Sequence, residues 1–194
     1  MSGQGREHRS EERARSGAPR GSEPTALTGR VLVAGIGNVF LGDDGFGVEV
    51  VRRLDPGTLP AGVDVADYGI RGVHLAFDLL DGRHDALVLV DAVPLDEPPG
   101  TLAVLEVPLD GTPADSATVD GHGMTPVAVL DLLRTLGGSL RRAVVVGCRP
   151  AVLDEVVGLS PPVQAAVEPA VRLVADVVPD LLEAAIPTPA RRPR

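Results

Sequence analysis

A chain of 194 residues, 44% hydrophobic but only 2% aromatic, is long enough for one domain whose core is Val, Leu, Ala and Ile. All 18 basic residues are arginine, which excludes any mechanism that needs a lysine, and the single cysteine, Cys148, excludes an intramolecular disulfide and suits a reducing compartment. Residues 29–186 set ten arginines against 23 acids, a formal charge of −13, which argues against duplex nucleic acid or anionic lipid as partner and favours a cation or a basic segment.

Residues 1–28 are rich in Ser, Gly, Pro and charge and lack apolar periodicity, so they are predicted to be a disordered tail. They contain no hydrophobic segment of the secretory kind, and no apolar run of about 18 residues occurs elsewhere. The expectation is a cytoplasmic protein with no membrane insertion. RVLVAGI (30–36) is a continuous apolar run, as in a strand buried on both faces. Residues 44–54 then place Phe46, Val50, Val51 and Leu54 at helical spacing, stopped by Pro56-Gly57. VDVADY (63–68) reads as a second strand and VHLAFDLLDG (73–82) as a helix closed by Gly82. DALVLVDAV (85–93) is the third strand and TLAVLEV (101–107) the fourth. The connection between them is too short for a crossover, so these two are predicted to run antiparallel. MTPVAVLDLLRTL (124–136) is a helix stopped by Gly137-Gly138, and RAVVVGC (142–148) a fifth strand. From Pro161 to about Ala185 the pattern is helical, with Pro169 and Pro179 expected to kink or break it, and residues 187–194 form a second loose tail. The predicted fold is an α/β three-layer sandwich around a mostly parallel, twisted five-stranded sheet in a domain spanning 29–186.

The loop GIGNVFLGDDGFG (35–47) lies between a strand and a helix, where nucleotide-binding folds cradle phosphate. It does not fit that use. A dinucleotide fingerprint needs glycine where Phe40 stands, and a P-loop needs Lys-Ser where Asp43-Asp44 stand, which would repel phosphate oxygens. A signalling receiver domain, with acids after the first strand and an aspartate closing the third, fails for want of a lysine. What remains is a cation site.

Ligands in such sheets bind at the carboxyl ends of the parallel strands. That rim collects the glycine loop, the DYGIRG turn after strand two, Asp91 closing strand three, GCRP after strand five, and the DGHGM loop before the third helix. Asp44, Asp91 and His122 fall together there, and two carboxylates with one imidazole suit a borderline divalent cation such as nickel or zinc. Each has an ordinary role as well: Asp43 or Asp44 as a helix cap, Asp91 as the acceptor in a turn, His122 as a solvated loop residue. The other histidines fall on a helix (His74), in a turn (His84) and in the tail (His8). Cys148 reads as a small buried hydrophobe rather than a nucleophile, and Ser160 as the cap of a helix opening at Pro161.

GIGNVFLGDDGFGVEVVRRL, LVLVDAV, GHGMTPVAVLDLL and GCRPAVLDEVVGLSPPVQAAVEPAV, in order over roughly residues 30–186, resemble the [NiFe]-hydrogenase maturation endopeptidases. The resemblance implies an endopeptidase that removes a C-terminal extension from a nickel-loaded hydrogenase large-subunit precursor. It implies that Asp44, Asp91 and His122 are the metal-binding and catalytic residues and that nickel is carried by the substrate, though zinc or cadmium would also suit the site. A monomer is expected. The runner-up is a non-catalytic metal-dependent binding protein or chaperone on the same fold. Where the family often has Asp-Gly-Gly-Thr after strand two, this chain has Asp67, Gly69 and Gly72 but Ile70 at the threonine position, with Arg71 beside it. Asp67, Gly69, Arg71 and Gly72 are thus a candidate substrate loop. By the same match Asp43 only caps or orients the loop, so Asp43→Asn is expected to matter less than changes to the trio.

Overall fold

A computed structural model describes residues 29–109 and 125–185. Five strands form one sheet in the order β2-β1-β3-β5-β4: β1 (Val31–Ile36), β2 (Val63–Gly69), β3 (Ala86–Ala92), β4 (Leu102–Glu106) and β5 (Arg142–Cys148). Among the described residues four α-helices cover it: α1 (Phe46–Arg53), α2 (Gly72–Leu79), α3 (Pro126–Thr135) and α4 (Pro161–Ala185). All pairs are parallel except β4 with β5. The three-layer α/β sandwich is as predicted. The predicted tails lie outside the described residues.

The inner strands explain the order. β1 and β3 are apolar and buried nearly throughout, because both faces are covered by helices. Val31, Val33, Val88 and Val90 meet α1 and α4 on one face, while Leu32, Ala34, Leu87 and Leu89 meet α2 and α3 on the other. Alternation at period two therefore serves both cores at once. β2 and β4 are only partly buried and take the edges.

Two expectations change in detail. β4 does run against β3, but β5 stands between them, so β4 pairs with β5 from Leu102 opposite Cys148 to Glu106 opposite Val144. The half-exposed sequence of β4 suits an edge, while β5, buried from Ala143 to Cys148, takes a neighbour on each side. The last helix is not broken at its prolines: α4 is one run of 25 residues through Pro169 and Pro179. Each proline leaves the carbonyl four residues back without its amide partner, and those residues, Ala165 and Ala175, are exposed to water. The opposite face packs Val163, Val167, Ala170, Val174, Val178 and Leu181 into the core and holds the helix in place.

Candidate functional site

The site is built where β1 and β3 end. The chain leaves β1 at Ile36 and turns at Gly37, whose φ of 125° is open to glycine and strained for other residues. The Gly37 N–H donates to the Gly69 carbonyl at 3.0 Å, which ties the first loop to the turn after β2. A Cβ on Gly37 would overlap the carbonyl oxygen of Asp44, and one on Gly47 would overlap those of Val90 and Ile36. The glycines thus serve close backbone packing within the fold. They let the 3-10 turn Gly42–Gly45 and the first turn of α1 sit directly on the ends of β1 and β3. Asp44 is thereby delivered beside Asp91, the residue after Val90.

Asp91 is 8% exposed, and its Oδ1 accepts the Ala92 N–H at 2.8 Å. Burial, and then the negative charge of Asp44, push its carboxyl well above the usual carboxylate range. Asp44 is half-buried, and its Oδ2 accepts the Asn38 N–H at 2.5 Å. A buried carboxyl facing a second one is held either by a proton or by a cation, and oxygen donors so placed fit a divalent metal. Among the described residues no three His, Cys, Asp or Glu side chains form a metal-holding group. The third expected ligand, His122, lies outside them. What leads into α3 is described from Thr125, whose hydroxyl accepts the Ala128 N–H at 3.2 Å ahead of Pro126. Six residues separate the end of α3 from the start of β5, so the helix returns along the sheet and its first turn lies toward the carboxyl rim.

Asp43 is not a helix cap. Its side chain is fully buried and reaches across the fold. Oδ2 accepts the N–H groups of Ala151 (2.8 Å) and Val152 (2.9 Å) and the Ser160 hydroxyl (2.8 Å), and Oδ1 accepts the Ser160 N–H (2.6 Å). Burial raises its pKa, yet these donors together outweigh burial and leave the carboxyl below its ordinary value. Ser160 does precede α4, as expected, but its hydroxyl donates to Asp43. These partners had a sequence signal only in hindsight: a doublet of acids, and a serine far away. Cys148 is fully buried, and burial followed by the charge of Asp43 pushes its thiol up to about 11, so it is a packed thiol.

The turn after β2 is held by its own side chains. Asp67 pairs with Arg52 at 3.1 Å, while Arg71 donates to the carbonyls of Tyr68 (3.1 Å) and Asp67 (2.6 Å). Gly69 has φ of 51°, and Gly72 is buried at the start of α2. Ile70 stands 75% exposed between them. His74 is exposed on α2. His84 is buried at the other end of the sheet, with Nε2 at 2.8 Å from Asp64 Oδ2.

Comparison with known proteins bears on this arrangement. The family model for hydrogenase maturation protease matches residues 48–177. The hydrogenase 2 maturation protease of Escherichia coli K12 is 35% identical over 150 residues, covering 75% of this chain and 88% of that protein. Among solved structures, the hydrogenase-maturating endopeptidase HybD from E. coli superposes with a TM-score of 0.64 at 30% identity, over 78% of this chain and 93% of that one. The [NiFe] hydrogenase maturation protease HycI from Thermococcus kodakarensis gives 0.63 at 26% identity, over 78% and 94%.

Proposed function

The chain belongs to the hydrogenase maturation protease family, and from that premise we propose that it removes the C-terminal extension of a [NiFe]-hydrogenase large-subunit precursor once nickel is in place. The endopeptidase activity is that of the family. The choice of substrate rests chiefly on one observation: a carboxyl, Asp91, is buried at the rim against the charge of a second carboxylate, Asp44. Such a pair is unfavourable when both are ionised and becomes favourable when a divalent cation arrives. Nickel comes to the site as part of the substrate, and zinc or cadmium would satisfy the same oxygens.

The roles proposed here are those that the family resemblance implies. Asp44 and Asp91 bind the cation through oxygen, with His122 as the nitrogen ligand. Once ionised, an aspartate beside the scissile bond can take a proton from an attacking water and return it to the departing amine. The turn of Asp67, Gly69, Arg71 and Gly72 lines the approach, with the client's peptide passing over Ile70. Phe40, in the neighbouring loop, is 66% exposed, which suits contact with an apolar stretch of the client. No helix among the described residues is long and apolar enough to cross a membrane. The protein is taken to act in the cytoplasm as a monomer.

The test is to incubate the protein with nickel-loaded and nickel-free precursor and weigh the products. Loss of the C-terminal extension from the loaded form alone is the expected result. Cleavage of a demonstrably nickel-free precursor would sink the recognition role of the metal. An unchanged mass with nickel present would return the protein to the non-catalytic binding class.

A further inference from the structure

We propose that Asp43 is the positioning residue of the site: its buried carboxylate locks the loop that carries Asp44 to the 151–160 segment, so that Asp44 meets an incoming metal at a fixed place. The proposal deepens the function above and rests on it for the identity of Asp44 as a ligand.

The geometry is a cross-link rather than a cap. Four donors converge on one carboxylate that is 0% exposed, and they come from residues 108 to 117 positions away in the chain. The backbone doubles the connection. Asp43 N–H donates to the Val152 carbonyl at 2.9 Å, and Gly42 N–H to that of Val156 at 2.7 Å. The segment between β5 and α4 has no strand or helix of its own to satisfy its amides. Asp43 supplies that need from inside, since an ionised carboxylate accepts several bonds and donates none.

The direction of Asp44 follows. Both acids sit in the single 3-10 turn Gly42–Gly45, where successive side chains project about 120° apart. Fixing Asp43 toward Ser160 therefore fixes where Asp44 points, namely toward the Asn38 N–H. Without the lock, the turn loses its side-chain link to the 151–160 segment and keeps the backbone contacts at Gly42, Asp43 and Asp44 and the bond from Asn38. Metal ligands typically lose affinity when the groups that orient them are removed.

The experiment uses the full-length protein with Asp43→Asn and Ser160→Ala. Amide hydrogen exchange, taken without metal or client, is expected to quicken in residues 38–45 and 151–160 of Asp43→Asn while β1 and β3 keep their protection. Ni²⁺ affinity by calorimetry should weaken about tenfold or more. With nickel-loaded precursor, kcat/KM should fall, with KM for the client rising because the nickel that Asp44 meets is carried by the client. Ser160→Ala, which removes one donor of four, should shift each readout the same way by less. Exchange that rises equally through the whole sheet, or parent-like Ni²⁺ affinity and cleavage in folded Asp43→Asn, would overturn the proposal. If Asp43→Asn does not fold, Ser160→Ala decides it: parent-like exchange at 38–45 with parent-like Ni²⁺ affinity overturns. If the parent protein neither binds Ni²⁺ nor cuts the precursor, the functional reading fails, while local exchange still decides whether Asp43 is the lock.

Discussion

The two ends of the sheet treat Asp64 and Asp91 in opposite ways. At the amino end, the Asp64 carboxylate takes Arg30 at 2.5 Å and His84 at 2.8 Å, and Asp85 and Glu106 have Arg141 and Arg142 beside them. The hydrogen bond from Arg30, then that from His84, hold Asp64 below its ordinary value. At the carboxyl end, Asp91 is buried and set against Asp44, and is pushed well above the usual range. One end neutralises its charge within the fold. The other spends folding free energy on an arrangement that a cation relieves, which is what distinguishes a site from a surface. Donors add to the difference. Asp43 is also buried, yet four donors carry it below its ordinary value, where Asp91 has a single one among the described residues and burial with the charge of Asp44 prevails.

The strongest way to break the contrast is Asp91→Asn. It removes the charge and keeps the size, so precursor cleavage and metal affinity should drop by about a hundredfold. Melting temperature should hold or rise, because the cost of burying an acid against Asp44 disappears. The ordinary role predicts the reverse, a loss of about 1 kcal/mol through the Ala92 hydrogen bond with cleavage intact. His122→Ala should likewise abolish processing in a folded protein, and normal cleavage by both variants would mean the site is elsewhere.

Varying pH tests the same difference by sign. Asp91 has a raised folded pKa, so its ionisation opposes folding, and stability falls as pH rises from the ordinary carboxylate range through that value. Asp43 has a lowered one, so its contribution is complete above the ordinary range and is lost as pH falls through the folded value. If Asp91 binds nickel as proposed, nickel competes with the proton there, and its affinity should climb by up to about tenfold per pH unit below the folded pKa. Melting curves of the parent and Asp91→Asn, with and without Ni²⁺, check this. A parent protein whose Ni²⁺ affinity ignores pH would remove Asp91 from the metal.

Smaller effects belong to the amino end and to the core. Asp64→Asn should lower stability by about 1 kcal/mol, discounted because Arg30 and Asp64 are each about half exposed, and should leave cleavage unchanged. A fall in processing would show that the two ends are coupled. Cys148→Ala should cost about 1 kcal/mol for a small cavity, with cleavage again unchanged. Loss of cleavage there in a folded protein would restore the thiol as a participant.

The chain's own sequence determined what short-range physics decides. Continuous apolar runs are buried on both faces, so RVLVAGI was legible as a strand covered on both sides, and DALVLVDAV and RAVVVGC as further strands. Apolar spacing and glycine stops marked the helices, and the rule that parallel strands open their site at the carboxyl end brought Asp44 and Asp91 together. What was illegible depends on groups distant in sequence. The place of β5 between β3 and β4 comes from which strand can be covered on both faces, and the continuity of α4 through Pro169 and Pro179 comes from a core face that outweighs two missing hydrogen bonds. The sequence excludes a phosphate cradle in the glycine loop, but the carbonyls of Val90 and Asp44 for which its glycines make room are visible only in the fold. Asp43 and Asp44 are identical neighbours in the sequence. Only the fold, by bringing Ala151, Val152 and Ser160 to one of them and Asp91 to the other, makes the first an internal lock and the second a rim carboxylate, because a carboxylate's role is set by the donors and charges within a few ångströms of it.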